Sequence, residues 1–171
     1  MMDISGMSRR YEVRAIADGD VERVYMLCRG NPMYYKHLGI VASPEEVRRD
    51  LEALPGGKSL DDKYYVGFFD GPSLAAVMDL IAGYPDDKTA FIGFFIMEKS
   101  FQGKGVGSAI IGGVLEFLKK QGFGRAKLGY VKSNTQSARF WRKNGFLPTG
   151  EEGRAEGRAV VVMSRELNVG E

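Results

Sequence analysis

Between Phe91 and Leu118 an apolar run, a glycine-punctuated turn and an apolar-periodic segment follow one another without a gap, FIGFFIMEKSFQGKGVGSAIIGGVLEFL. Few folds accommodate that succession. Phe91, Ile92, Phe94, Phe95, Ile96 and Met97 show no polar alternation, which is the composition of a strand covered on both faces. Gly103, Gly105 and Gly107 then alternate through the turn, and residues without Cβ let successive backbone N–H groups point inward and come close to a ligand. Ile110, Ile111, Val114, Leu115 and Leu118 recur at helical spacing, so a helix begins inside the glycine run. A helix N-terminus with bare amides attracts anions.

The remaining segments predict a mixed sheet around this unit. Residues 1–10 are polar and read as a flexible leader, 11–166 as one domain and 167–171 as a tail. Tyr11 to Ala15 alternates as a first strand. Asp18 or Asp20 caps a helix to Arg29, with Val21, Val24, Leu27 and Cys28 on one face. Gly30-Asn31-Pro32 stops it, and Met33 to Gly39 reads as an aromatic connection. Ser43-Pro44-Glu45-Glu46 opens a second helix, to about Leu54. Tyr64–Phe69 and Leu74–Ala82 form a hairpin across Asp70-Gly71-Pro72, and the Gly83–Asp87 turn leads antiparallel into the strand at Phe91. The helix after the glycine turn runs to about Gln121, and Ala126–Val131 returns parallel by a right-handed crossover. Asn134 opens the last helix, Gly145 closes it, and Phe146–Thr149 and Arg158–Arg165 are strands joined by a charged loop at 150–157. The order is β-α-α-β-β-β-α-β-α-β-β, an α/β mixed sheet in which only the fourth and fifth strands are parallel. A site between the ends of two parallel strands, at a glycine turn, is where such sheets bind ligands.

Composition removes several classes of function. Net charge is +2, from 24 Lys and Arg against 22 Asp and Glu, too balanced for a nucleic-acid binder. One cysteine, Cys28, forbids an internal disulfide and a thiolate zinc site, and one histidine, His37, forbids a histidine metal cluster. No metal is expected. No apolar run reaches the roughly 18 residues of a membrane span, and the first residues lack a signal-peptide core. The expectation is a soluble, cytoplasmic protein without a membrane or nucleic-acid partner.

Spacing separates three glycine loops. A Walker loop requires four residues between its first glycine and Gly-Lys-Ser/Thr, and Lys104 lacks that frame. A dinucleotide fingerprint needs a third glycine where Ser108 stands and an acid at the end of the next strand, where Tyr130, Val131 and Lys132 stand. Gln102, two residues, Gly105, one residue, Gly107, after an apolar strand and before a helix, resembles the acetyl-CoA signature of the GNAT-type N-acetyltransferases. A second segment, NTQSARFWRKNGF from Asn134 to Phe146, resembles that family's later motif, in which an asparagine opens a helix and Gly-Phe ends it.

The resemblance implies a GNAT-like fold over residues 11–166, with the fourth and fifth strands splayed and pantetheine lying between them along Phe95, Ile96 and Met97. It implies that amides from Gln102 through Gly103, Lys104, Gly105, Val106, Gly107 and Ser108 hold the pyrophosphate of acetyl-CoA. Lys104 adds charge there, or is a solvated side chain. Asn134 bonds the pantetheine arm, caps its helix, or does both. Phe140 belongs to the same cofactor wall. Many members carry a tyrosine seven residues after the asparagine; here the residue is Trp141, and an indole N–H is no acid. Trp141 either packs against the thioester end or fills core. Water or Tyr130 then protonates the thiolate.

For the base, Asp79 interrupts an apolar strand, where burial raises a carboxyl pKa; counting through the turn puts it opposite Ile92. Asp79 also reads as a buried acid paired with a backbone group or an arginine. Glu98 is the rival, and reads equally as a solvated loop acid. In the resembling family the segment between the first two helices often covers the substrate, which nominates Asn31, Tyr34, Tyr35 and His37, with Tyr84 and Asp79, for the acceptor pocket; the aromatics there read equally as core. The activity implied is acetyl transfer to a primary amine of a small molecule or peptide, by direct attack in a ternary complex; homodimer pairing through the last strands is common in that family. The alternative is a non-catalytic acyl-CoA-binding or interaction module, motivated by the missing tyrosine.

Overall fold

The computed structural model describes residues 1–167. In chain order its elements are β1 (Glu12–Ala15), α1 (Val21–Arg29), α2 (Pro32–Leu38), α3 (Pro44–Glu52), β2 (Lys63–Asp70), β3 (Ser73–Ala82), β4 (Thr89–Met97), α4 (Val106–Lys120), β5 (Arg125–Val131), α5 (Thr135–Lys143), β6 (Leu147–Ala155) and β7 (Arg158–Glu166). The strands form one sheet in the order β1-β2-β3-β4-β5-β7-β6. Only β4 and β5 pair in parallel, as the crossover through α4 requires.

Alternation along the strands divides the core in two. On one face Val66, Phe68, Met78, Leu80 and Ile92 meet Ile111, Val114 and Leu118 of α4 and Trp141 of α5. On the other, Tyr65, Val77 and Ile96 meet Val24, Leu27, Tyr35 and Val47 from α1, α2 and α3. Each such side chain contributes roughly 1.5–3 kcal/mol by leaving water.

Two departures from regular pairing shape the middle of the sheet. Between β3 and β4 the register shifts after Asp79, which faces Phe94 while Leu80 faces Ile92. Asp79 is therefore opposite Phe94 and not Ile92, and Gly93 is the extra residue of a bulge. Pairing of β4 with β5 runs from Thr89↔Arg125 to Ile92↔Leu128 and no further, although β4 continues to Met97 and β5 to Val131. The two strands part just after the bulge.

Three expectations from the sequence are corrected. Residues 1–10 are not a flexible leader: Ile4–Met7 forms a 3₁₀ turn capped by Asp3, and Met7 is fully buried against the α4 side of the core. Met33 to Gly39 lies largely in α2, because Pro32, read as a stop, serves as a first-turn proline and Gly39 (φ 80°) closes the helix. The 150–157 loop is mostly strand, since β6 runs to Ala155 and turns through Glu156 (φ 50°) and Gly157 (φ 76°) into β7. Of the expected tail, Leu167 is buried and its N–H donates to Gly124 O at 2.9 Å; residues 168–171 lie outside the described part.

Candidate active site

Where β4 and β5 part, a cleft of about 650 Å³ opens. Phe95, Ile96 and Met97 form its β4 wall, Gln102 to Ser108 its floor through Gln102, Gly103, Gly105, Gly107 and Ser108, and Asn134, Ser137, Phe140 and Trp141 its α5 wall. Asn31, Pro32, Met33 and Tyr34 close it from the start of α2.

The glycines of the floor meet different demands. Gly103 (φ 74°) and Gly105 (φ 78°) are left-handed, and Gly105 is the cap from which α4 starts. Gly107 is right-handed and buried; a Cβ there would stand 2.7 Å from Met97 Sδ and 3.0 Å from Phe140 Cε1. The first amides of α4 are thus left bare beside the cleft, an anion cradle that a side chain would fill. Lys104 and Val106 point elsewhere, into a second groove of about 190 Å³ shared with Arg10 and Tyr11. A side-chain network locks the floor to the start of α2 and the end of β4. Asn31 Nδ2 donates to Leu27 O (3.0 Å) and Met97 O (2.9 Å), and Gln102 Nε2 donates to Asn31 Oδ1 (2.7 Å) and Met97 O (3.0 Å).

Trp141 fills core and also forms part of the cleft wall. It is 7% exposed and meets Phe95, Phe140 and Phe146 edge-on at 6.1, 4.9 and 5.2 Å, and it also lines the cleft. Asn134 is buried, and its Oδ1 accepts from Ser137 N at 3.1 Å, capping α5 at the rim. Among the described residues its side-chain NH₂ has no partner.

The other nominated residues scatter. Glu98 caps the Lys99–Phe101 turn through Ser100 N at 2.8 Å and does not line the cleft. Tyr130 packs against the α4 side of the core. Tyr35 is buried in the other core, with its phenol beside Cys28, and burial raises the pKa of both; the Cys28 thiol is pushed up to about 11. Tyr84 stands edge-on to Phe91 at 5.5 Å, at the paired end of β4 and away from the cleft. His37 bridges the opening: its Nδ1 is 2.8 Å from Ser133 Oγ, after β5. Helix α2 is therefore tied to the β4 arm through Asn31 and to the β5 arm through His37.

Asp79 lies on the α1–α3 face beside the bulge. Its Oδ2 accepts from Lys63 Nζ at 2.8 Å, and Lys63 Nζ also donates to Ala53 O at 2.8 Å. A Cβ on exposed Gly93 would be 3.1 Å from Asp79 Oδ2. Burial raises the carboxyl, and Lys63 opposes that shift. Oδ1 is buried without a partner, as is Tyr65 Oη on the residue directly across the strand pair. Asp50, on α3, is held up to about 6 by burial and by neighbouring Glu46 and Asp79. The partner of Asp79 is thus a lysine, which sequence reasoning missed together with Asp50. Lys63 and Tyr65 alternate on one face of β2, but placing them against Asp79 requires a register broken between Phe68 and Phe69.

Fold and cleft together define an α/β protein that presents a helix N-terminus between two parted parallel strands. The chain belongs to the acetyltransferase (GNAT) family, whose sequence model matches residues 32–146. It is thus an acetyl-CoA-dependent acetyltransferase by family, and the bare amides and the small side of Gly107 fit that donor. Solved structures share the fold. An acetyltransferase from Thermus thermophilus superposes with TM-score 0.72 at 19% identity, covering 91% of this chain and 96% of its own. PaiA N-acetyltransferase from Thermoplasma acidophilum, in complex with coenzyme A, gives 0.64 at 19%, covering 91% and 98%. The Salmonella typhimurium acetyltransferase that modifies the N-terminal serine of ribosomal protein L7/L12 gives 0.70 at 22%, covering 94% and 96%. No curated protein matches the sequence.

Proposed function

We propose that this protein transfers the acetyl group of acetyl-CoA to a primary amine of a small molecule or a peptide, by direct attack in a ternary complex. The observation that carries this reading is the coincidence at the apex of the splay. Pairing ends at Ile92↔Leu128, and the next residue of each strand, Gly93 and Gly129, is exposed. The carboxylate of Asp79 lies against Gly93.

When bound, acetyl-CoA supplies an activated acetyl thioester. The amides at the start of α4, from Gln102 to Ser108, hold the pyrophosphate, and the unpaired edge of β4 from Phe95 to Met97 bonds the pantetheine arm together with Asn134. Phe140 and Trp141 form the apolar seat at its thioester end. A backbone N–H of β4 beyond the last paired residue donates to the developing oxyanion. Asp79 takes the proton released by the amine as its nitrogen bonds to the acetyl carbon. As the C–S bond breaks, Trp141 cannot protonate the departing sulfur, so solvent gives the thiolate its proton and Asp79 returns to solvent the one it received. Asn31, Tyr34 and His37, along α2, form the outer wall through which the acceptor enters. Cys28, free and buried, suits the reducing cytoplasm in which we place the enzyme.

The test is thiol release from acetyl-CoA across a panel of polyamines, amino acids, aminoglycosides and peptides with free N-termini, including serine-initiated ones. At least one amine is expected to accelerate release and to be recovered N-acetylated. If acetyl-CoA binds in calorimetry but no amine accelerates thiol release, the chain is an acyl-CoA-binding module.

A further inference from the structure

We infer that Lys63 is a positioning residue for acetyl transfer: its buried ammonium fixes the Asp79 carboxylate against the Gly93 bulge and holds it in the proton-accepting form. This rests on the reading of Asp79 as the base.

Three observations lead there. Lys63 is a lysine whose side chain is only 3% exposed, against 13% for Asp79, with its Nζ 2.8 Å from Asp79 Oδ2. Well-packed apolar residues generally serve stability as well as a buried ion pair does, so the pair needs a reason beyond packing. The second bond of the ammonium, to Ala53 O at 2.8 Å, anchors it beyond the end of α3, so Nζ is held from two sides. Finally, Asp79 is only half satisfied: Oδ2 is taken by Lys63 while Oδ1 is buried with no partner, a state that disfavours the folded chain. The oxygen nearest exposed Gly93 is Oδ2, the one Lys63 holds, so an acceptor N–H arriving past Gly93 meets the carboxylate at the atom the ammonium fixes.

The surroundings make the ammonium necessary. Set against Asp79 are Lys63 and Tyr65 on β2, Asp50 on α3, and uncharged Gly93 and Phe94 on β4; Glu46 and Arg49 lie beside Asp50 with opposite effects on it. Asp50 is a further carboxylate and Tyr65 is neutral. Lys63 is the cation that bonds Asp79, so without it the effect of burial, which favours the protonated carboxyl, would act unopposed. A lysine serving only to clamp the end of α3 to the sheet would not affect which protons the enzyme exchanges.

The experiment is the pH dependence of kcat/KM, measured from about pH 5 to 9 for wild type, Lys63→Met, Lys63→Gln and Asp79→Asn, with folding checked by near-ultraviolet circular dichroism. Lys63→Met is expected to move the acidic limb upward by at least about one pH unit, roughly a tenfold loss below the new midpoint, and to recover toward wild type on the alkaline side. Lys63→Gln retains a donor for Asp79 and for Ala53 O but not the charge, and is expected to move the limb the same way; it decides the matter if the methionine variant does not fold. A uniform loss with an unmoved midpoint in a folded variant would reduce Lys63 to a clamp and overturn the inference. If Asp79→Asn keeps full turnover, the reading of Asp79 as base fails instead, whatever the lysine variants do.

Discussion

Trp141 is held on three sides by Phe95, Phe140 and Phe146, so its replacement tests packing and function together. Trp141→Ala is expected to lose about 3–5 kcal/mol in urea unfolding, as large-to-small core changes do. Trp141→Tyr keeps a ring in the seat and restores a hydroxyl where many relatives in the family have one; it is expected to remain folded with measurable turnover. Asp50 makes a different statement. Its folded-state pKa of about 6 lies above the unfolded value near 3.9, so the native state binds more protons between those values. Its contribution to stability therefore falls as pH rises through that window and stays lost above it. Asp50→Asn is expected to remove this dependence and to gain on the order of 1–2 kcal/mol near pH 7.5 relative to wild type, read from urea midpoints at three pH values. An unchanged pH dependence would mean that Asp50 is solvated in the folded state.

At the scale of elements, the strand, glycine turn and helix from Phe91 to Leu118 were legible because each signal is local. A doubly covered strand is apolar throughout, left-handed turns take glycine, and a buried helix face repeats every three to four residues. Elements whose signals are not local were misread. Helix α2 is short and begins at a proline that also punctuates the preceding helix. Strand β6 is an exposed edge with almost no buried side chain, so it shows no apolar alternation. The Lys63–Asp79 pair depends on an irregularity in the pairing of β2 with β3, and the place of Asp79 beside Gly93 on another in the pairing of β3 with β4, which no short stretch of sequence encodes. Met7 was hidden by its polar neighbours, and its docking carries a testable consequence. Glycine to alanine inside a helix ordinarily stabilises by about 1 kcal/mol, but a Cβ on Gly113 of α4 would lie 2.7 Å from Met7 O. Gly113→Ala is therefore expected to lower the melting temperature, and a rise would show that the N-terminal turn is dispensable. In the cradle, Gly107→Glu places bulk and negative charge against Met97 and Phe140 beside the bare amides, and calorimetry is expected to detect no coenzyme A binding. Undiminished affinity would place the phosphates elsewhere.

For the whole molecule, the sheet consists of two arms joined for only four residue pairs, Thr89 to Ile92 on β4 with Arg125 to Leu128 on β5. The arms are tied again at a distance, by α2. The donor side carries the glycine cradle and the aromatic seat; the opposite face carries α2, Asp79 and Lys63. In the proposed reading, donor and acceptor approach one apex from these two sides and the acetyl group passes directly, without an enzyme-bound intermediate. Cys28, buried and with its thiol pKa raised, is no candidate for such a carrier. Initial rates of coenzyme A release over a matrix of acetyl-CoA and acceptor concentrations test this most directly. Double-reciprocal lines that intersect are expected; parallel lines, or release that no amine accelerates, would contradict transfer in a ternary complex at the apex.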